Sequence, residues 1–145
     1  MTQRKFLLIE HGSAEYEQSL VLRDEVLRKP LGLRFSDEDL VLERDFYHLV
    51  CLEDGRVVGC LVLVPQDEED VRMRQVVVVP HLQRQGIGRG LIEFAEAVAR
   101  EEGFTIITLN ARDSAKVFYE KLDYQQVGEP FVEVTIRHWK MRKGL

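Results

Sequence analysis

The segment Gln83-Arg84-Gln85-Gly86-Ile87-Gly88-Arg89-Gly90 carries the chain's clearest chemistry. It follows the apolar run Val76 to Val79 and Pro80, and it opens an amphipathic stretch from Leu91 to Glu102. A strand therefore feeds a basic, glycine-rich turn, and the turn feeds a helix N-terminus. Free N–H groups and the positive end of the helix dipole favour an anion there. Gly86 and Gly88 let the backbone approach that anion without Cβ clashes, and Arg84 and Arg89 add charge. The group that such a turn suits is a pyrophosphate. A dinucleotide-binding fingerprint requires G-x-G-x-x-G, but position 91 is leucine and no ribose-binding acid follows at the usual offset. A P-loop string is absent. A glycine-rich connection without a ligand is the plain alternative.

A second segment, Asn110-Ala111-Arg112-Asp113-Ser114-Ala115-Lys116-Val117-Phe118-Tyr119-Glu120-Lys121-Leu122-Asp123-Tyr124, also contains groups that can do chemistry. The Tyr119 hydroxyl can donate a proton to a leaving group. Its spacing with Ala115 and Leu122 is equally that of an amphipathic core tyrosine. Asn110 can bond to amide groups of a ligand or cap a strand end.

Gln-x-x-Gly-x-Gly after a hydrophobic strand and Pro80 resembles the acetyl-CoA signature of the GNAT superfamily of N-acetyltransferases. The segment through Phe118-Tyr119-Glu120-Lys121-Leu122-Asp123-Tyr124 resembles that superfamily's second signature, with one helix and one strand between the two. The resemblance covers roughly Phe6 to Met141. It implies an α/β acyl-CoA N-acyltransferase fold: a mixed, mostly antiparallel twisted sheet, with helices on both faces and a splay between the Val76–Val79 and Thr105–Leu109 strands.

The resemblance further implies acetyl transfer from acetyl-CoA, as co-substrate, to a primary amine of a small molecule or protein, by direct attack in a ternary complex. Strand N–H groups of Val76, Val77 and Val78 would bind the pantetheine arm, and that of Val78 would polarise the thioester carbonyl. Gln83, Arg84, Gln85, Gly86, Ile87, Gly88 and Arg89 would hold the pyrophosphate. Asn110 and Ser114 would lie along the pantetheine path. Tyr119 would protonate the CoA thiolate. The alternative function is a CoA-binding module of the same fold with little catalysis. Two departures from the family pattern stand out: Asp123 replaces a usual glycine, and Arg137 replaces proline in a terminal Ile136-Arg137-His138-Trp139-Lys140-Met141 string that resembles one small GNAT subgroup.

These residues need elements to position them. Lys5 to Glu10 reads as a strand. Ser13 is a candidate N-cap for a helix reaching about Leu27, with an apolar stripe of Leu20, Val21, Val26 and Leu27. Ser36-Asp37-Glu38-Asp39 starts a second helix. His48 to Leu52 and Val57 to Val64 form a hairpin around Glu53-Asp54-Gly55-Arg56. In that register Cys51 faces Val58 and lies diagonal to Cys60, so both are expected as reduced packing residues. Val71 to Val79 becomes continuously apolar, which predicts burial on both faces in its second half. The helix after the turn buries Leu91, Ile92, Ala95, Val98 and Ala99 and exposes Glu93, Glu96 and Arg100, with Glu96–Arg100 as an i,i+4 pair. Gly103 ends it. Thr105 to Leu109 is a strand, Asp113 or Ser114 caps a short helix to Leu122, and Phe131 to Met141 alternates as one long terminal strand.

At 145 residues the chain fits one domain over residues 1–145. No run approaches the ~20 apolar residues that span a bilayer, and no signal-peptide cleavage pattern follows the Met1-Thr2-Gln3-Arg4-Lys5 start, so a cytoplasmic location without a membrane is expected. A net charge of −5 argues against nucleic acid as a partner. His11, His48 and His81 and the two cysteines have no metal-ligand spacing, so no metal is expected. The terminal strand permits a homodimer.

The general base is not set by the sequence. His138, Glu129 and Glu133 are candidates, each beside a plain surface role. The walls expected around the acceptor disagree in charge: Glu129 and Glu133 suit a cation, while Arg28, Lys29 and Arg34 suit a carboxylate or phosphate. Asp67 to Asp70 reads as a solvated turn.

Overall fold

The computed structural model describes residues 3–145, so Met1 and Thr2 lie outside it. Apolar runs, alternating in β8 and nearly continuous in β3, build most of the strands β1 (Arg4–Ile9), β2 (Tyr47–Glu53), β3 (Arg56–Pro65), β4 (Asp70–Val78), β5 (Ile106–Arg112), β6 (Gln125–Gln126), β7 (Phe131–Glu133) and β8 (Ile136–Gly144), with β6 the polar exception. They form one sheet in the order β1-β2-β3-β4-β5-β8-β6, with β7 also on β8. Every neighbouring pair is antiparallel except β4 and β5, which run parallel. A parallel pair needs a crossover, and helix α3 (Ile87–Glu101) supplies it.

Helix α1 (Ala14–Arg23) starts where the Ser13 side chain accepts from the Tyr16 N–H at 3.2 Å. The helical path continues through a π-turn at Asp24–Arg28 and a 3-10 turn at Lys29–Leu31, and ends at Gly32 with φ +69°. The expected stripe is rotated. The buried side chains of α1 are Tyr16, Ser19, Leu22 and Arg23, while Val21 is 59% exposed. Helix α2 (Asp37–Leu42) has a full capping box between Ser36 and Asp39. Helix α4 (Lys116–Glu120) follows a 3-10 turn at Asp113–Ala115. Asp113 does not cap it; its carboxylate accepts instead from the Trp139 indole N–H at 2.6 Å.

The larger core lies between α3 and the sheet, with Leu49, Leu63, Met73, Leu91, Ile92, Ala95, Ile107 and Met141 at its centre. A smaller core of Leu22, Val50, Cys60 and Val77 lies under α1 on the other face. The cysteines sit one in each. A register shift between Cys51 and Leu52 pairs Cys51 with Gly59 and Val50 with Cys60, so the expected Cys51–Val58 pairing is wrong. Both thiols are free and buried.

Two further expectations fail. The terminal segment is a hairpin: Val134 (φ +48°) and Thr135 (φ +61°) form its tip between β7 and β8. Two consecutive positive φ angles give a tight reversal that matches strand twist, and alternation alone does not mark it. Glu96 is buried at 5% exposure rather than solvated. It accepts from the Tyr124 hydroxyl at 2.9 Å and from Lys143 Nζ at 3.0 Å. The i,i+4 pair on α3 is Arg89–Glu93.

Candidate active site

The splay between the parallel strands is present. β4 and β5 pair only over Asp70–Met73 and Ile106–Leu109. Beyond that point Gln75 takes φ +56°, in a bulge opposite Leu61, and β4 leaves β5 while staying on β3. The bulge re-aims the strand. Arg23, 1% exposed, holds it from below: its Nε donates to Gln75 Oε1 at 3.0 Å. The rest of its guanidinium is a fork onto the Glu43 carboxylate, which also accepts from the Tyr16 hydroxyl at 2.9 Å. Burial alone would raise the Glu43 carboxyl, but the bonds and charge of Arg23, with Tyr16, outweigh it and hold the group below its usual range. This network was missed in the sequence. Its signal was a charged residue, Arg23, one turn after Ser19 and two after Tyr16.

Strand alternation now sorts the valines. The Val79 N–H donates to the Val58 carbonyl at 2.8 Å, toward β3. Successive N–H groups point to opposite sides, so Val77 also faces β3, while Val76 and Val78 face the opening. Consistent with this, the Val78 carbonyl accepts from Gln83 Nε2 at 3.3 Å. Val77 is buried in the core under α1, whereas Val76 and Val78 point to the α3 side and are only half-buried, so the burial expected on both faces holds on one.

The glycine turn sits at the open end of the splay. Gly86 is the N-cap of α3 at φ +84°, and a Cβ there would meet nothing within 4 Å. The first intrahelical bond runs from the Gly90 N–H to the Gly86 carbonyl at 3.0 Å, leaving Ile87, Gly88 and Arg89 N–H groups ahead of it. Ile87 points its side chain into the core. A Cβ on Gly88 would stand 3.6 Å from Phe118 Cζ and 3.8 Å from Val78 Cγ2, so Gly88, Phe118 and Val78 enclose one mouth. Arg84 is exposed at φ +67°. Arg4 of β1 fixes the turn from outside, donating from Nη2 to Gln85 Oε1 at 2.7 Å and from Nη1 to the Gln85 carbonyl at 3.2 Å. Gly90 is a packing glycine: a Cβ there would collide with the Phe6 ring.

Tyr119 packs edge-on against Phe118 (5.2 Å) and Tyr124 (5.7 Å). Burial pushes its hydroxyl well above the ordinary tyrosine range. Tyr124 and Lys143, bonded to Glu96, brace the wall behind it. Asp123 ends this helical segment at φ +73°, the left-handed geometry its position requires. Asn110 is exposed on β5, opposite Lys140, and Ser114 is exposed in the 3-10 turn. His138 stacks on Phe131 at 5.6 Å and bonds the Ile136 carbonyl through Nδ1 at 2.8 Å, so that nitrogen carries the proton.

Comparison with known proteins gives a consistent picture. The family model described as an acetyltransferase (GNAT) domain matches residues 26–145. The uncharacterized N-acetyltransferase YitI of Bacillus subtilis is 30% identical over 130 residues, 86% of this chain and 87% of that protein. An uncharacterized N-acetyltransferase of Chlorobaculum tepidum is 31% identical over 103 residues, which span 68% of this chain but only 62% of that protein. Among solved structures, an acyl-CoA N-acyltransferase from Pseudomonas aeruginosa superposes with a TM-score of 0.81 at 25% identity, covering 97% of this chain and 99% of that one. A GNAT family acetyltransferase from Elizabethkingia anophelis, solved with acetyl-CoA bound, shares the fold at a TM-score of 0.74 and 18% identity, over 98% of each chain.

Proposed function

The chain belongs to the GNAT family of acetyltransferases, and from that premise we propose that it moves the acetyl group of acetyl-CoA onto a primary amine by direct attack in a ternary complex. The observation that carries this reading is the splay, which ends in a glycine turn at its mouth and has Val76 and Val78 aimed into it. The pyrophosphate would sit on Gln83 to Arg89, where Gly86 and Gly88 leave space that a Cβ would fill. The pantetheine arm would run back along β4 toward Gln75, bonded by the inward strand groups and passing Asn110 and Ser114. Val77 would contribute packing.

The amine nitrogen attacks the thioester carbon, and negative charge develops on the carbonyl oxygen. The fixed inward N–H at the Gln75 end of the arm, that of Val76 rather than the Val78 expected from the sequence, lowers that barrier because it needs no reorganisation as the charge grows. The C–S bond then breaks and the Tyr119 hydroxyl gives its proton to the sulfur. The attacking nitrogen releases its extra proton toward solvent, and the tyrosine regains one from the same pool. The high pKa of buried Tyr119 keeps the hydroxyl protonated at neutral pH. It also makes a free tyrosinate costly, so proton transfer is concerted with C–S cleavage.

Release of free thiol from acetyl-CoA in the presence of an amine panel tests the reading. Amine-dependent release is expected. Tight acetyl-CoA binding without turnover of any amine would favour the alternative, a binding module with little catalysis.

A further inference from the structure

The sheet face on the α1 side carries an unpaired basic strip beside the closed end of the splay. Val71, Met73, Ile107, Leu109 and Met141 point to the α3 core, so their neighbours point the other way. Arg72 pairs across to Thr108 and Thr108 to Arg142; one step on, Asn110 pairs with Lys140, next to Arg74. Residues directly opposite share a face. Arg74, Asn110, Lys140 and Arg142 are exposed. Among the described residues Arg28, Arg72, Arg74, Lys140 and Arg142 enter no ion pair, and the Nε of Arg72 is buried without a partner.

Arg28 closes the strip from above. Its guanidinium lies 4.4 Å from the centre of the Phe35 ring, with Arg23 at 4.7 Å from the same ring. Burial, then the charge of Arg23, pulls Arg28 below its ordinary value; Asp39 opposes this more strongly than Arg74 adds to it. Two carboxylates, Asp39 and Asp70, face the five cations of the strip, and Asp39 acts on both Arg28 and Arg74. Asp70 accepts from Thr108 at 3.0 Å, and Asp39 caps α2. Lys29 is paired with Asp24 and so leaves the basic wall.

The two walls that conflict in the sequence are thereby separated. Glu133 pairs with Ile136, four residues along β8 from Lys140, or about 14 Å at the rise of a strand. That exceeds the ~8–10 Å over which exposed charges act at physiological salt. Local charge at the closed end is therefore positive, in a chain whose net charge is −5.

We infer that the acceptor is an amine carrying its own carboxylate or phosphate, held by Arg74 and Lys140, with Arg28, Arg72 and Arg142 around them. The inference rests on the acetyl-transfer reading of the splay. From β4 to β8 is two strand spacings, about 10 Å, and the two rows lie about 7 Å apart. That footprint fits one anionic group and the few carbons joining it to an amine at Gln75. It is too short for a polymer backbone.

Matched acceptors test this: propylamine against β-alanine, ethanolamine against phosphoethanolamine, and spermidine as a cation. The anionic member of each pair is expected to have kcat/KM at least about tenfold higher, and the better of the two names the anion. Arg74→Glu and Lys140→Glu should raise KM for that acceptor by about tenfold or more, while KM for acetyl-CoA stays within about twofold. Equal use of neutral amines, preference for spermidine, or unchanged KM in both variants would overturn the inference. If no amine is turned over, the acetyl-transfer reading fails separately. The strip is then judged by titrating the CoA-bound protein with acetate and with inorganic phosphate, following arginine side-chain NMR signals. Saturable shifts at Arg72 and Arg74 that vanish in Lys140→Glu support it, and their absence refutes it.

Discussion

Arg23 donates a 3.0 Å hydrogen bond to Gln75, tying the end of α1 to the residue at which β4 parts from β5. The bond joins a fully buried cation to a strained strand position. The Glu43 carboxylate, on the far side of the guanidinium, makes the tie electrically neutral.

Arg23→Met should cost about 3–5 kcal/mol of unfolding free energy, because it strands the Glu43 charge. Arg23→Met with Glu43→Leu should recover most of it. Both lack the Gln75 tie, so kcat should fall in both. A double variant with full kcat would show that the bulge holds itself.

The same pair gives an acid response. The folded Glu43 carboxyl lies below its unfolded value of about 4.3, so its contribution is present above that value and is lost as pH falls through the folded one. Urea midpoints of the wild type should drop more steeply below about pH 5 than those of the double variant. Parallel curves would remove Glu43 from the acid-sensitive set.

Gly88→Ala separates binding from folding. Its Cβ would make only ordinary contacts at 3.6 and 3.8 Å, and alanine is the better helix former. Thermal stability should hold or rise, while calorimetry should show acetyl-CoA affinity weakened about tenfold or more, about 1.4 kcal/mol. Gly86→Val should also cripple binding, but its φ of +84° adds strain of its own. Unchanged affinity in Gly88→Ala would move the pyrophosphate elsewhere.

Tyr119→Phe keeps both ring contacts and deletes one proton donor. A kcat loss of at least about tenfold is expected, with little change in melting temperature. Full activity would assign thiolate protonation to water.

The cysteines should be silent. Burial raises the Cys51 thiol and pushes Cys60 up to about 12, so neither forms appreciable thiolate at pH 8. A thiol reagent should label none in the native protein and both after denaturation. Fast native labelling would mean that the sheet opens locally.

The strand-turn-helix order and the glycine turn were legible because periodicity and glycine placement are local signals. Asp123 in its left-handed position and the Asp54-Gly55 tip were legible for the same reason. What escaped depends on residues far apart in sequence. Glu96 reads as solvated until Tyr124 and Lys143 close over it. The shift at Cys51 adds Val58 to β3 without breaking the apolar pattern, while Gln75 interrupts the Val71–Met73 alternation in a way that also reads as a change to a doubly buried strand. The basic strip combines residues 28, 72, 74, 140 and 142, and only the sheet register makes them neighbours.

Arg4 and Phe6 stand on β1, at the sheet's edge, yet they touch the glycine turn and α3 through Gln85 and Gly90. An edge strand frays readily, with a low local opening energy. A ligand that holds the turn must also oppose that fraying, since binding favours whichever state presents the site intact. Amide hydrogens of β1 should therefore exchange more slowly when acetyl-CoA is bound, although no atom of the strand is expected to meet it.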